Sequence, residues 1–431
     1  MRAIHVLSAS LEVEDVDGPD KPGHDDVLEG RPTTSFDTPP LPILISTERS
    51  KQERIMQPIA ELLKEGAAAV GRPLADARLL PSRFYTSTEI FEAEKERIFR
   101  RNWVSVGHVA EIPKPGDRFR IDVAGEPLLI VRGRDGVVRA LSAVCRHRAM
   151  LLAEGAGNAG TISCPYHKWT YALDGALMAA PLMEGASPLD EAACALPSFA
   201  CEVWNGFIFV NLDGRAAPLA AALAPLGEEL APWKMDELEI VGRVVFDQRY
   251  NWKVLADNFM EAYHHFAIHP ETFEPNYPAA MSQADEARGP FAALRMPHKG
   301  NELSEPLFPP LPDIPDEARR GFSVFNIYPS MLLAVFVDTV TWYRMEIESA
   351  GSFRLTIYLF AHPRSLDVPD AEALKEFLRE AATAVHIEDI AACEGVQKGL
   401  ESRMAVPGRL SPLEAAIHQH QQWLMGELVK A

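Results

Sequence analysis

Two short segments that each hold one cysteine and one histidine constrain this chain more than any other feature of its sequence. Cys145 stands two residues before His147, and Cys164 stands three residues before His167, with 16 residues between the two segments. Upstream of them, Phe119, Ile121 and Val123 alternate with polar neighbours and Asp135-Gly136 marks a turn, which is typical of β-strands joined by hairpins. Two loops that each fix two ligand directions allow a β scaffold to preform a metal site. The sequence therefore predicts a small β domain that holds a metal group.

The order of the four residues indicates which metal group they hold. One cysteine and one histidine in each loop allow two thiolates to bind one iron and two imidazoles to bind the other, as a Rieske 2Fe-2S centre requires. A zinc site is the alternative, but finger-type zinc sites pair Cys with Cys and His with His within each loop. Cys194, Cys201 and Cys393 have no metal-like spacing and are interpreted as small buried hydrophobic residues.

A second group of polar residues lies in an otherwise apolar segment, residues 251–270. His264 and His269 are five residues apart and would diverge by about 140° on a regular helix. Both reach one metal only if the helix ends or widens between them, and Pro270 is consistent with an ending. Two imidazoles and one carboxylate on one face of Fe(II) leave positions open for O2 and substrate. The alternative is that these histidines are ordinary core or surface residues.

Both groups resemble motifs of one family, the catalytic α subunits of the Rieske non-haem iron, ring-hydroxylating oxygenases. CRHR and CPYHKWTYALDG, with 16 residues between His147 and Cys164, resemble the Rieske domain, although Ala149 stands where the family usually has Gly. NWK followed by N-x-x-E-x-Y-H-x-x-x-x-H resembles the mononuclear iron motif. The matching residues are Asn251, Trp252, Lys253, Asn258, Glu261, Tyr263, His264 and His269. The family pattern skips His265, so we expect that residue not to be a ligand.

The resemblance implies a third iron ligand, an acid in the last long helix. Residues 387–402 resemble the family's acid followed by V-Q-x-G-L-x-S. We choose Asp389, and Glu388 and Glu394 are the alternatives, as is an ordinary exposed helix charge.

The resemblance also implies catalytic roles for Asn258 and Glu261. In the family, the acid at position 261 bridges the cluster of one subunit and the iron of its neighbour through hydrogen bonds to histidines on both sides. This acid is usually Asp, and Glu also occurs in members that hydroxylate or demethylate quaternary ammonium compounds. A carboxylate at this point would also fix the tautomer of a liganding imidazole.

The expected fold class is α+β: a small all-β Rieske domain is followed by a catalytic domain with an antiparallel sheet and flanking helices. Residues 1–55 are rich in proline and acidic residues and are predicted to be a disordered tail. Residues 56–103 are expected to form an N-terminal helical segment that packs with the catalytic domain. Residues 104–215 are expected to form the Rieske domain, and residues 216–431 the catalytic domain.

Several elements are predicted individually. Helices are expected over Thr86 to Trp103, Val254 to His269 and roughly Ala371 to Leu400. A strand is expected over Val241 to Tyr250, and three strand-like runs between Phe322 and His362.

Charge and hydrophobicity restrict the partners of the chain. The formal net charge of −19 leaves no broad cationic surface for nucleic acid or an anionic membrane. The apolar stretch from Met331 to Val337 is far shorter than the roughly 18 residues that indicate a spanning helix. The first residues lack the positive start and apolar middle of a secretory signal. We therefore expect a cytoplasmic protein that binds neither nucleic acid nor membranes.

By its resemblance, the chain is expected to be a terminal oxygenase that uses O2 to hydroxylate a small organic substrate, an aromatic compound in the first instance. Hydroxylation or N-demethylation of a quaternary ammonium compound is the alternative. A Rieske electron carrier and a zinc-binding module are the alternatives from other classes. Aromatic residues either line a substrate pocket or fill the sheet core, and core is expected for most of Phe322, Phe325, Tyr328, Phe336, Trp342 and Tyr343.

The expected cofactors are a Rieske 2Fe-2S cluster and a mononuclear Fe(II). No Gly-rich nucleotide-binding turn stands out after a strand. A separate ferredoxin or flavin reductase is therefore expected to supply electrons from NAD(P)H. The resemblance implies a head-to-tail homotrimer, with a β subunit as a further option.

Overall fold

The computed structural model describes residues 59–152, 155–184 and 186–430. Leu62–Ala431 forms one compact unit, and Met1–Glu61 belongs to another. The predicted disordered tail over residues 1–55 lies outside the described residues. Within the described ranges, none of the helices combines the length and the apolar character needed to cross a membrane.

The α-helices and β-strands are numbered separately along the described chain. The helices are α1 Ile59–Val70, α2 Arg83–Thr86, α3 Thr88–Glu94, α4 Leu219–Ala222, α5 Ala224–Leu230, α6 Trp252–Phe259, α7 His265–Ile268, α8 Ala371–Leu400 and α9 Ala415–Val429. The strands are β1 Val104–His108, β2 Asp117–Val123, β3 Glu126–Arg132, β4 Val138–Ser142, β5 Ala156–Asn158, β6 Ile162–Ser163, β7 Thr170–Tyr171, β8 Leu177–Ala179, β9 Ser198–Trp204, β10 Phe207–Asn211, β11 Glu239–Gln248, β12 Gln283–Ala284, β13 Phe291–Pro297, β14 Gly321–Ile327, β15 Met331–Val335, β16 Thr339–Ser349 and β17 Ser352–Ala361.

The first ten strands form two antiparallel sheets. Seven of them are ordered β1-β10-β9-β4-β3-β2-β5, and β6, β7 and β8 form a small separate sheet. Phe119, Ile121 and Val123 are buried at alternate positions of β2, which confirms the predicted period of two. Asn205 and Gly206 both have positive φ in the two-residue turn between β9 and β10, as a hairpin with the right-handed twist of its strands requires.

The last seven strands form the second seven-stranded antiparallel sheet, called the second sheet below, in the order β11-β17-β16-β15-β14-β13-β12. Four strands, β14 to β17, cover the region where three runs were predicted. The connection between β15 and β16 is the short segment Phe336, Val337 and Asp338, which is itself mostly apolar, so the two strands are difficult to distinguish in the sequence. The fold is α+β, as predicted.

Alternate residues along β13 and β14 face opposite sides of the second sheet. One face carries Phe325 and Trp342 and packs with Phe207 of the first sheet. The other face carries Phe322 and packs with Met260, which follows α6. The residues after α6 therefore lie against the face of the second sheet that points away from the first sheet.

Of the three predicted helices, one is shorter than predicted and one is divided in two. In place of one helix from Thr86 to Trp103, α2 ends at Thr86, Ser87 accepts a hydrogen bond from the Ile90 N–H as the N-cap of α3, and α3 runs into a π-helical turn over Lys95–Phe99. The helix predicted over Val254 to His269 is divided into α6 and α7. The third, α8, covers Ala371–Leu400 as predicted.

Candidate metal centres

The two Cys-His loops of the first domain are built alike. In the first loop the Cys145 carbonyl accepts a hydrogen bond from the Ala149 N–H, and in the second the Cys164 carbonyl accepts one from the Lys168 N–H. Ala149 and Lys168 both have positive φ, 56° and 60°. A non-glycine residue in this conformation costs about 1–2 kcal/mol. Ala149 therefore takes the backbone conformation that glycine would adopt more easily, and the loop keeps its shape.

The loops bring the two histidines together at the surface and bury the two cysteines. Cys145 and Cys164 are buried, and the rings of His147 and His167 lie with their centroids 4.7 Å apart. The His147 ring stacks on Trp169 at 4.9 Å with 7° between the planes, which fixes its orientation. Two thiols on the inner side and two imidazoles on the outer side match the donor set of a Rieske cluster.

Tyr171 contributes a polar contact to the inner side of this site. Its hydroxyl accepts a hydrogen bond from the Arg146 N–H at 3.0 Å and lies 3.3 Å from Sγ of Cys145. Burial, together with the contact to Cys145, raises the pKa of Tyr171, so the hydroxyl keeps its proton and can donate to the sulfur. Hydrogen bonds to cluster sulfurs are one of the means by which proteins set the reduction potential of such clusters.

The spacing of the four loop residues does not fit a single zinc ion. Four ligands of one tetrahedral zinc lie within about 4 Å of one another. Among the described His, Cys, Asp and Glu residues, the group of three or more that fits one ion is a different one: His264, His269 and Asp389, whose ligand atoms lie within 4.8 Å of one another.

The one-turn helix α7 connects the two imidazoles of this triad, and its end at Ile268 lets them converge. The helix α6 ends at Phe259, His264 is the N-cap of α7 and His269 is its C-cap. The ring centroids of the two histidines are 5.1 Å apart. The sequence required an ending between the two histidines, and the structure supplies it together with a one-turn helix, after which Pro270 lacks an N–H to continue it.

Asp389 joins the triad from α8. Its Oδ1 lies 3.0 Å from Nε2 of His269 and 3.5 Å from Nε2 of His264. Ligands about 2.1 Å from an ion and at right angles to each other are about 3 Å apart, so these separations fit three ligands on one face of an ion. The donor set of two imidazoles and one carboxylate is the facial triad of non-haem iron oxygenases.

The rotation of α8 decides which of its acids reaches the triad. The buried residues of α8 are spaced three to four apart and include Asp389, Cys393 and Gln397. Glu388 lies about 100° away around the helix and contacts His269 on its other nitrogen, and Glu394 is outside the triad. Burial alone would raise the pKa of Asp389, but hydrogen bonds and charge from the imidazoles hold it below its ordinary value.

Each residue of the triad has its own outer partner. Oε1 of Glu261 lies 2.6 Å from Nδ1 of His264, and its Oε2 accepts the His264 backbone N–H at 3.0 Å. The amide nitrogen of Asn258 donates to Oδ1 of Asp389 at 3.2 Å. Oε2 of Glu388 lies 2.6 Å from Nδ1 of His269. The sequence singled out Glu388 only as an alternative ligand, and its contact to the outer nitrogen of His269 was missed because it joins residues 119 positions apart.

His265 is kept apart from the triad by its own contacts. Its Nδ1 lies 3.3 Å from the Tyr277 carbonyl, and its ring stacks on Phe273 at 5.1 Å. Burial, and then the charge of His264, lower the pKa of His265 to about 4, so the ring is neutral at pH 7. The absence of this residue from the triad agrees with the expectation that it is not a ligand.

Most of the six aromatic residues singled out in the second domain are buried in the sheet. Phe325 and Trp342 are fully buried on the face opposite the triad. Phe322 instead stacks on Phe273, and the Phe273 ring lies 5.4 Å from that of His269. Phe273 was not identified from the sequence, although it lies only four residues after His269.

Two family profiles match consecutive parts of the chain. Residues 102–200 match the Rieske [2Fe-2S] domain, and residues 235–428 match the ring hydroxylating α subunit (catalytic domain). The carnitine monooxygenase oxygenase subunit of Acinetobacter baumannii is 32% identical over 332 residues, which cover 75% of this chain and 85% of that protein. The chloroplastic choline monooxygenase of Spinacia oleracea is 27% identical over 83% of this chain and 80% of its own.

A solved structure agrees with these relatives. The quaternary ammonium Rieske monooxygenase CntA in complex with L-carnitine superposes with a TM-score of 0.69 at 28% identity, over 83% of this chain and 97% of that one. The profiles and the triad together establish two cofactor sites, one for a Rieske 2Fe-2S cluster and one for a mononuclear iron at His264, His269 and Asp389. The protein is thus an oxygenase subunit, and such a subunit requires a reductase as partner. The chain therefore belongs to the Rieske non-haem iron oxygenases, as an α subunit of the ring-hydroxylating family.

Proposed function

We propose that this protein is the oxygenase component of an enzyme that oxidises a small quaternary ammonium compound. The observation that carries the proposal is the similarity, over most of the chain, to relatives named for carnitine and choline. Glu261, where the family usually has Asp, supports the same substrate class. The expectation of an aromatic substrate has less support than this alternative.

Aromatic rings and acidic groups beside the triad are compatible with a cationic substrate. Phe273, Phe322 and Tyr277 form one group of packed rings that begins at His269: Phe273 and Phe322 stack on each other, and the centroids of Phe322 and Tyr277 are 4.8 Å apart. Aromatic faces attract quaternary ammonium groups by about 0.5–2 kcal/mol each. Glu261, Glu388 and Asp389 add negative charge around the two histidines.

The residues of the two sites would hold two kinds of iron. Cys145, Cys164, His147 and His167 would bind the cluster, and the triad would bind the single iron. The cluster stores one electron at a time, and the iron binds and activates O2. Asn258 would orient the Asp389 carboxylate, and Glu261 would keep the proton of His264 on Nδ1 so that Nε2 faces the metal.

We infer that copies of the chain associate head to tail, so that the cluster of one copy lies beside the triad of the next. The cluster loops expose apolar and basic side chains, including Tyr166 and Arg148. The surface beside the triad exposes Tyr263, Phe266 and Ile387, next to the acidic residues of the site. Opposite charge and matching apolar character favour contact between the two surfaces. A separate ferredoxin or flavin reductase would supply electrons from NAD(P)H.

A substrate screen with a surrogate reductase tests the proposed function. We expect NADH-dependent O2 uptake coupled to product formation with at least one of L-carnitine, γ-butyrobetaine, glycine betaine and choline. Naphthalene and benzoate serve as aromatic competitors. The neutral tert-butyl analogue of the accepted substrate should turn over at least about 10-fold less efficiently, because it loses the attraction between the cation and the aromatic faces.

Two results would contradict this substrate class. One is coupled oxidation of an aromatic compound and of none of the ammonium compounds. The other is equal turnover of the ammonium substrate and its neutral analogue, because recognition would then depend on shape alone. A metal analysis of the same preparation should give three irons per chain, two in the cluster and one at the triad, so that a failed loading is distinguished from a wrong substrate.

Replacing Glu261 with glutamine tests its role between the two sites. Glutamine can accept the hydrogen bond from Nδ1 of His264, but its NH2 then faces the His264 backbone N–H, and the negative charge is lost. We expect reoxidation of the prereduced cluster by O2 and substrate to slow by about 10- to 100-fold, with iron content and cluster absorption unchanged. Stopped-flow absorption of the cluster measures this rate directly.

Glu271→Gln is the matched control for this experiment. Glu271 is an exposed acid two residues after His269, so its variant removes the same charge from the same segment without touching the triad. We expect wild-type reoxidation in this variant. Equal rates in Glu261→Gln and the wild type would remove Glu261 from the path between the sites.

A further inference from the structure

The carboxylate of Glu388 contacts a liganding histidine without being a ligand itself. Its Oε2 lies 2.6 Å from Nδ1 of His269 and also accepts a hydrogen bond from the Thr272 hydroxyl at 2.8 Å. The other ring nitrogen of His269, Nε2, faces Oδ1 of Asp389 at 3.0 Å. The two neighbouring acids of α8 therefore hold opposite edges of the same imidazole, one on the metal side and one on the outer side.

This arrangement fixes the orientation of the His269 ring. An imidazole binds a metal through a nitrogen without a proton, so the remaining proton must stay on the other nitrogen. A carboxylate beside Nδ1 favours the form with its proton there and leaves the lone pair of Nε2 for the metal. The Thr272 hydroxyl in turn restrains Glu388, and His269 is almost fully buried.

With this contact, both histidines of the triad have a carboxylate beside Nδ1. Glu261 and Glu388 both lie 2.6 Å from the Nδ1 atom of their histidine, although Glu261 precedes His264 by three residues and Glu388 reaches His269 from a different helix. Each imidazole thus has one carboxylate behind it. These two charges raise the donor strength of both nitrogens toward a dication.

We propose that Glu388 is a positioning residue for the mononuclear iron: it holds the His269 ring in the form and orientation that bind metal. The inference concerns the iron site alone, so it stands or falls independently of the substrate class. Its effect is on the affinity of the triad for a divalent metal before any reaction takes place. No described residue donates a hydrogen bond to the second oxygen of Glu388, so the contact to His269 and Thr272 accounts for the orientation of this side chain.

Anaerobic titration of the cluster-loaded, triad-empty protein with Fe(II) tests the proposal. Glu388→Gln keeps an oxygen acceptor for the His269 N–H and loses the charge, and we expect about 10-fold weaker Fe(II) binding. Glu388→Ala loses both, and we expect a loss approaching about 100-fold. Thr272→Val leaves the carboxylate in place without its restraint and should weaken binding less than Glu388→Gln. Cluster absorption should stay at the wild-type level in all three variants.

A second readout separates positioning from a general structural effect. The absorption of Co(II) bound at the triad reports ligand geometry, and we expect it to change in Glu388→Ala and to return toward the wild type in Glu388→Gln. Glu394→Gln is the control, because it removes a carboxylate from the same helix outside the triad and should leave metal affinity unchanged.

Three outcomes overturn the proposal. Wild-type Fe(II) affinity in both Glu388→Gln and Glu388→Ala leaves the residue without a positioning role. An equal loss in Glu394→Gln attributes the effect to helix charge. Complete loss of triad iron in Glu388→Gln, as expected for a missing ligand, places Glu388 among the ligands.

Discussion

Replacing His264 with alanine should abolish substrate oxidation and leave the visible absorption of the cluster unchanged. His264 supplies one of three donors that converge within 4.8 Å. The cluster loops lie earlier in the sequence and belong to different sheets from the one beside the triad. Loss of an outer partner lowers metal affinity or activity by about 10- to 100-fold, and loss of a donor should lower them further. The expected iron content falls from three to two per chain, measured together with absorption and coupled O2 uptake.

His265→Asn is the matched control for that variant. The asparagine NH2 takes the position of Nδ1 and can keep the contact with the Tyr277 carbonyl, so the neighbouring histidine is removed with little loss of hydrogen bonding. We expect three irons per chain in this variant. Loss of cluster colour in His264→Ala would mean that the two sites had been interchanged, and retained oxidation would remove His264 from the iron site.

Replacing Lys253 with methionine should lower the free energy of unfolding by about 3–5 kcal/mol, because it leaves a buried charge without its partner. Nζ of Lys253 lies 2.6 Å from Oε1 of Glu94, and both side chains are 2% exposed or less. The Glu94 carboxylate also accepts the Trp252 indole N–H at 3.1 Å. The pair joins α3 to the first turn of α6, the helix that leads into the triad. Urea denaturation of the loaded protein measures the loss.

A double variant identifies the unpaired charge as the cause. Lys253→Met combined with Glu94→Gln removes both charges and keeps an oxygen for the Trp252 N–H, so we expect it to recover at least about half of the lost stability. Lys375→Met breaks an exposed pair with Glu372 on α8 and should change stability little. A loss in Lys253→Met no larger than that in Lys375→Met would show that the buried pair contributes no more than a surface pair.

The cluster loops were predictable because their donors are local in sequence. Cys145 and His147 belong to one tight loop, and Cys164 and His167 to another, so each loop fixes its own pair of directions regardless of distant packing. Ala149 is the one departure, and the loop absorbs it as a residue with positive φ. The substrate class was harder to predict from the sequence. A single position, Glu261, indicated ammonium compounds, whereas the family as a whole favoured an aromatic substrate.

The elements that were predicted less accurately are those where local pattern and tertiary packing disagree. The apolar spacing continues from Val254 to His269, so the pattern indicates one helix, yet the chain leaves the helix after Phe259 and resumes it for one turn. The end of that turn at Ile268 leaves both imidazoles on one side, where Asp389 meets them. Periodicity reports only which residues are apolar and cannot register a change of direction that is stabilised by contacts with another helix.

The sequence by itself determined the four donors of the cluster, the two histidines of the iron site and the presence of two separate metal sites, because ligand chemistry and short spacings are properties of neighbouring residues. Only the tertiary structure decided which acid of α8 faces the metal and which lies behind His269. Adjacent residues on a helix point about 100° apart, so the choice between Glu388 and Asp389 depends on how the buried residues of α8 turn the helix against its neighbours. That rotation is set by packing between segments more than 100 residues apart in the chain, and no local spacing contains it.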